Sequence, residues 1–243
     1  MNVLRRFVTV VRDGLRIWWL APAIPLLIVV PEFAQHVAEI RLGMFEGGEA
    51  ARAAADHPTR WAFGYLKIAG LLLAILATIR FWSARAGRWW DVRDIAWKPT
   101  LLALSVVLLS AVPGLALRPT IGEAAAGWVD LAVMLATLPA LALLVAGLSS
   151  DRQVRLRTLL TTGAGWLATL RILVFAAAVW VPLQWVHGLN HQWAIGAAEP
   201  VVWALMVWDS LVVGLLATMA GTALHHGWRV EEAELPPTLA RSI

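Results

Sequence analysis

Six apolar runs, separated by polar or basic segments, divide the 243-residue chain. They cover about residues 16–39, 61–81, 100–117, 127–148, 166–187 and 201–224. A helix needs about 20 predominantly apolar residues to cross the hydrocarbon core of a bilayer, and each run comes near that length. The pattern predicts an all-α fold, a polytopic integral membrane protein of six transmembrane helices with short amphipathic interfacial segments. It reads as one transmembrane domain over 1–230, followed by a polar cytoplasmic tail over 231–243.

The first run, IWWLAPAIPLLIVVPEFAQHVAE (Ile17–Glu39), is the most heavily marked. Pro22, Pro25 and Pro31 each lack an N–H, and the latter two are placed to bend a helix and release upstream carbonyls. No small-residue cleavage site follows the run, so it reads as a retained span and not a signal peptide. Ahead of it Leu4, Phe7, Val8, Val11 and Leu15 recur at helical spacing, which predicts an amphipathic helix in the headgroup layer.

The connections differ in character. Residues 40–60 form the longest loop, with a short surface helix expected at Glu49–Ala55. Residues 83–99 interleave Arg85, Arg88, Trp89, Trp90, Arg93, Trp97 and Lys98. Such a mixture is able to stack single-stranded nucleic acid, but between two spans it reads as a headgroup-level linker, and no nucleic-acid partner is expected. Arg118–Ala126 makes a tight link, and 188–200 a loop without Lys or Arg.

Composition agrees with the pattern. Hydrophobic residues make up 60% of the chain and charged ones 15%, with a mean hydropathy of +0.70, which is a membrane composition. There is no cysteine, so disulfides, thiolate metal sites and cysteine nucleophiles are excluded. Lys and Arg number fourteen in the N-terminal segment, the 80–99 and 149–165 linkers and the residues after 224, against four in the loops at 40–60, 118–126 and 188–200. By the positive-inside rule both termini are expected in the cytoplasm. The Arg-, Ala- and Trp-heavy usage points to a bacterial inner membrane.

Ionisable residues inside the spans carry the candidate chemistry, because each costs about 2.5–3.5 kcal/mol to insert without a partner. Glu32, His36 and Glu39 share one face of the first span. Lys67 lies in the second, Asp130 in the fourth, Gln184 and His187 near the end of the fifth. Asp209 lies about 12 Å into the sixth. By this depth all of them occupy the outer half of the bilayer, while the inner half holds only Arg171, whose side chain is long enough to snorkel. The expected site is a polar pocket open toward the outer side, drawn from Glu32, His36, Lys67, Asp130, Gln184 and Asp209. Lys67 would be counter-charge to Glu32 or Asp209. Acids outnumber cations there, so one acid should be protonated, paired with His36, or hold a cation. His36, His187 and His191 are the metal candidates, suited to zinc or another divalent ion.

Ser210, Gly214 and Thr218 form a stripe of small residues that lets another helix approach. Enzyme signatures such as G-x-S-x-G, H-E-x-x-H, a phosphate loop or a dinucleotide fingerprint are absent. Ser149 with His225 is the one serine–histidine pairing to consider, and no cofactor is called for. Three classes of function follow. The protein binds or passes a small ligand or ion through the polar pocket, or it docks other membrane proteins as an assembly partner, or, last, it is a membrane-embedded enzyme.

Overall fold

The computed structural model describes residues 3–84, 88–110 and 112–228. Arg85 and the tail over 231–243 lie outside the described residues. Among the described residues the regular structure is entirely helical, with nine helices: α1 (Val3–Leu20), α2 (Ala23–Arg41), α3 (Gly48–Ala55), α4 (Pro58–Ser83), α5 (Trp97–Ser110), α6 (Val112–Leu148), α7 (Leu156–Thr161), α8 (Gly163–Ala194) and α9 (Glu199–Trp228). Six stretches are long and apolar enough to cross a membrane: Ala23–Arg41, Pro58–Ser83, Trp97–Gly114, Ala116–Leu148, Gly163–Ala194 and Glu199–Trp228. The protein is an all-α, multi-pass membrane protein of the lipid bilayer.

The chain divides into two compact units, one of residues 1–78 and 175–223 and the other of 79–174 and 224–243. In the first, α9 runs through the interior. Asp209, Ser210, Val213, Ala217, Thr218 and Ala220 are all buried along it. A Cβ on Gly214 would strike Val29 and Trp18, and the Trp18 indole donates to Thr218 Oγ1 at 3.3 Å. The small-residue stripe is therefore covered from within this unit.

The N-terminal helix differs from its expected form. α1 continues through Trp18 and Trp19 to Leu20, and the break falls at Ala21–Pro22. Pro22 accounts for this, since it disfavours helical geometry in the residue before it and begins the next helix without needing an N–H. Pro25 then sits in the first turn of α2, where a missing N–H costs nothing, and does not bend it. Pro31 is the proline inside a helix. The carbonyl it strips of a partner is that of Leu27, four residues back, and this oxygen faces Gly70 of α4 at a distance that leaves no room for a Cβ. Nor is α1 only a surface lead-in. Val10, Gly14 and Ile17 turn inward, with Gly14 against Met219 of α9, while Leu4, Val8 and Leu15 are exposed.

In the second unit α5 and the part of α6 before Gly122 pack against the rest of α6 as a helical hairpin. The backbone leaves helical geometry at Gly122 (φ 80°, ψ 165°), a left-handed conformation that glycine adopts without strain. Gly114 lies against Asp130 and Gly147 against Thr100, pairs placed about evenly on either side of that turn. Arg80 is buried and caps the carbonyl of Leu148 at 2.6 Å and that of Asp91 at 2.8 Å. Arg171 donates to the carbonyls of Gly227 and Trp228 at 2.5 and 3.2 Å. It does not snorkel, because the last carbonyls of a helix have no intrahelical donor and a guanidinium in reach supplies one.

Candidate functional site

Four helices of the first unit bring polar side chains to one place. α2 supplies Glu32, Gln35, His36 and Glu39, whose spacings of three and four residues put them on a single stripe. α4 supplies Arg60 and Lys67, seven residues and about two turns apart. α8 supplies His187, Asn190 and His191, again at three and four, and α9 supplies Asp209. The place is the end at which α2 and α8 finish and α4 and α9 begin. A backbone hydrogen bond from Gly196 N–H to the Phe45 carbonyl, 2.7 Å, ties the two connections there.

His36 and Asp209 form the middle of the cluster. Glu32, His36, Glu39 and Asp209 are each 0% exposed, so none of their charge is solvated by bulk water. His36 Nδ1 lies 3.1 Å from Glu39 Oε2, and since an ionised carboxylate only accepts, Nδ1 carries the proton. His36 Nε2 then faces two further carboxylates, Asp209 Oδ2 at 3.2 Å and Glu32 Oε1 at 3.3 Å. Asp209 Oδ2 also accepts from His187 Nδ1 at 2.7 Å and has His191 Nε2 at 3.4 Å, while Asp209 Oδ1 accepts from Asn190 Nδ2 at 2.8 Å.

Two basic groups close the edges. Lys67 Nζ lies 3.2 Å from Glu32 Oε1, and Arg60 Nε donates to Glu39 Oε1 at 2.9 Å, beside Gln35 Nε2 at 2.8 Å. Three carboxylates against one lysine and one arginine leave one negative charge over. Buried charge is tolerated only when compensated, so the cluster requires a protonated carboxyl, an imidazolium or a bound cation. Glu32 Oε2, Gln35 Oε1 and His191 Nε2 find no hydrogen-bond partner. An orphaned buried acceptor costs about 1–3 kcal/mol, more when charged. Within reach of one another, Glu32, His36, His191 and Asp209 each offer a ligand atom, all within 4.8 Å.

The expected pocket residues thus separate into two sets. Glu32, His36, Lys67 and Asp209 meet, and so do the metal candidates His36, His187 and His191. Asp130 belongs to the second unit, half-exposed, with the Arg118 guanidinium 3.7 Å away. Gln184 is exposed on α8, one turn before His187. Gln35, Arg60 and Asn190 are further members of the cluster, beyond the residues expected from sequence. Asn190 falls in the expected 188–200 loop, yet α8 continues to Ala194 and stops only before Gly196, whose φ of 76° ends it. The i, i+3, i+4 pattern of His187, Asn190 and His191 was the available signal.

Elsewhere the chemistry is thinner. A cleft of about 450 Å³ on the α2–α4 connection is lined by Arg41, Glu46, Ala53 and His57, none of them in the cluster. Ser83 lies between Ser149 and His225, its Oγ 2.9 Å from Ser149 Oγ, 3.0 Å from His225 Nδ1 and 2.8 Å from the Ile79 carbonyl. No family model matches the chain, and no curated protein and no solved structure matches it.

Proposed function

We propose that the protein binds a small cation, or a small ligand bearing one, at the Glu32–His36–Asp209 cluster. On this reading it is a bacterial inner-membrane protein with both termini in the cytoplasm and the cluster in the outward half of the bilayer. The arginine-rich linkers support that orientation through the positive-inside rule. The observation that carries the reading is Asp209, a fully buried carboxylate ringed by His36, His187 and His191 at 2.7–3.4 Å. Interhelical glue needs one or two hydrogen bonds, and it does not need three imidazoles on one oxygen. The assembly reading has less support, because the small-residue stripe offered for docking is already covered by Trp18 and Val29.

The test is a thermal-stability scan of the purified protein across pH, alkali ions, divalent ions and small organic cations, alongside Asp209→Asn. A specific ligand at 100 times its Kd adds about 2.7 kcal/mol to the folded state. At least one cation should raise the unfolding temperature of the native protein and not of Asp209→Asn. If the variant folds and both proteins respond alike to every ion and ligand, the cluster is structural and the reading is wrong.

A further inference from the structure

Resting on the reading that this cluster holds a cation, we infer that the cation is a divalent transition metal of the zinc class, ligated by Glu32, His36, His191 and Asp209. The first argument is spacing. Zinc takes imidazole nitrogen and carboxylate oxygen at about 2.0–2.2 Å, so neighbouring ligand atoms in a tetrahedral site stand roughly 3.3–3.5 Å apart. Here His36 Nε2 to Glu32 Oε1 is 3.3 Å, His36 Nε2 to Asp209 Oδ2 is 3.2 Å, and His191 Nε2 to Asp209 Oδ2 is 3.4 Å. A charge-assisted hydrogen bond between imidazolium and carboxylate closes to about 2.7–2.9 Å, the length that His187 Nδ1 does make to Asp209, at 2.7 Å. The three longer separations have the width of a coordination edge.

The second argument is the set of unpartnered atoms. A proton on His36 Nε2 would serve Asp209 and Glu32 Oε1 and still leave Glu32 Oε2 without a hydrogen bond and His191 Nε2 with only the 3.4 Å approach to Asp209 Oδ2. The Glu32 carboxylate is wholly buried, so water does not solvate that oxygen from bulk. A metal ion held by His191 Nε2 and by Glu32 through both carboxylate oxygens would use both orphaned atoms at once. The surrounding groups are those that orient ligands. Glu39 fixes His36 in the tautomer that presents Nε2, and Arg60 and Gln35 hold Glu39 in turn. Asn190 and His187 hold the Asp209 carboxylate. A carboxylate behind a ligating imidazole is the usual support for a bound metal. Two imidazoles with two carboxylates and no thiolate suit zinc, cobalt, iron or manganese. They do not suit calcium or magnesium, which take oxygen alone, or copper(I), which takes sulfur.

Cobalt(II) titration of the chelator-stripped full-length protein in nanodiscs tests this, with metal content measured by mass spectrometry. One equivalent should bind per chain, produce the intense visible absorption of low-coordinate cobalt, and be displaced by zinc. His36→Ala and His191→Ala should each abolish the band. Glu39→Gln should weaken binding by about 10–100-fold, as loss of a group behind a ligand does. His57→Ala, on the exposed cleft, should leave it unchanged. His191 lies at the edge of the cluster, so its variant supplies a folded protein if His36→Ala does not. Cobalt binding that survives both variants is adventitious and overturns the inference. If no cobalt band forms while protons or another cation stabilise the native protein but not Asp209→Asn, the metal assignment falls and the cation-binding reading stands. If neither response is seen, both fall.

Discussion

Replacing Lys67 with methionine should weaken the metal-free protein and tighten its grip on a divalent ion. The ammonium is 3.2 Å from Glu32 Oε1, and the Glu32 side chain is wholly buried while that of Lys67 is 22% exposed. Stripping one partner from a buried pair costs about 3–5 kcal/mol, because the remaining charge is left uncompensated. His36 stands on the same oxygen at 3.3 Å, so the lower end of that range is expected. A metal about 2 Å from the carboxylate would lie no more than roughly 5.3 Å from Nζ. At an effective dielectric of about 20, a double positive charge at that distance repels the ammonium by about 6 kcal/mol. Screening at a partly exposed group that leaves only a quarter of this, about 1.5 kcal/mol, still changes Kd by about tenfold. Linkage requires the same free energy to reappear as stability, so bound metal should narrow the gap between Lys67→Met and the native protein. Competition with a chromophoric chelator gives Kd, and denaturant unfolding with and without zinc gives the stability difference. Weaker zinc binding in Lys67→Met, with its fold intact, would refute the charge argument.

Two further outcomes test the frame of the site. Gly70→Ala places a methyl group against the Leu27 carbonyl that Pro31 frees, and should force α2 and α4 apart at a cost of about 1–3 kcal/mol; an unfolding temperature equal to the native one would contradict the close approach. In the linker outside the spans, hydrogen bonds from Arg93 hold the Asp91 carboxyl down from 3.8 to about 2. The sign is that of a depressed acid. The contact is present above pH 3.8 and is lost as pH falls through about 2, so a carboxyl titration of labelled Asp91 should centre near 2, and a midpoint near 3.8 would disprove the pairing.

The apolar runs made the six spans legible, because a membrane demands a minimum length of apolar helix whatever the protein does. The cost of inserting charge likewise marked Glu32, His36, Lys67 and Asp209 as residues in need of partners. Depth alone does not give a residue its partners: at the same expected depth Asp130 meets the Arg118 guanidinium and Gln184 is exposed. The polar tail of α8 was illegible for a different reason. Gly188, Asn190 and Gln192 read as loop, yet backbone hydrogen bonds continue through them until Gly196. From sequence Arg171 is expected to snorkel and Arg80 to begin the 80–99 linker, and only tertiary placement shows them capping the carbonyls of Leu148 and Gly227.

On the proposed reading, four side chains from three helices converge on one cation. Anomalous diffraction from zinc-soaked crystals of the full chain, collected on either side of the zinc edge, tests it most directly. The account predicts one peak per chain within about 2.2 Å of His36 Nε2, His191 Nε2 and an oxygen each of Glu32 and Asp209. A well-ordered cluster with no peak, or a peak confined to His57 and the surface cleft, would contradict it.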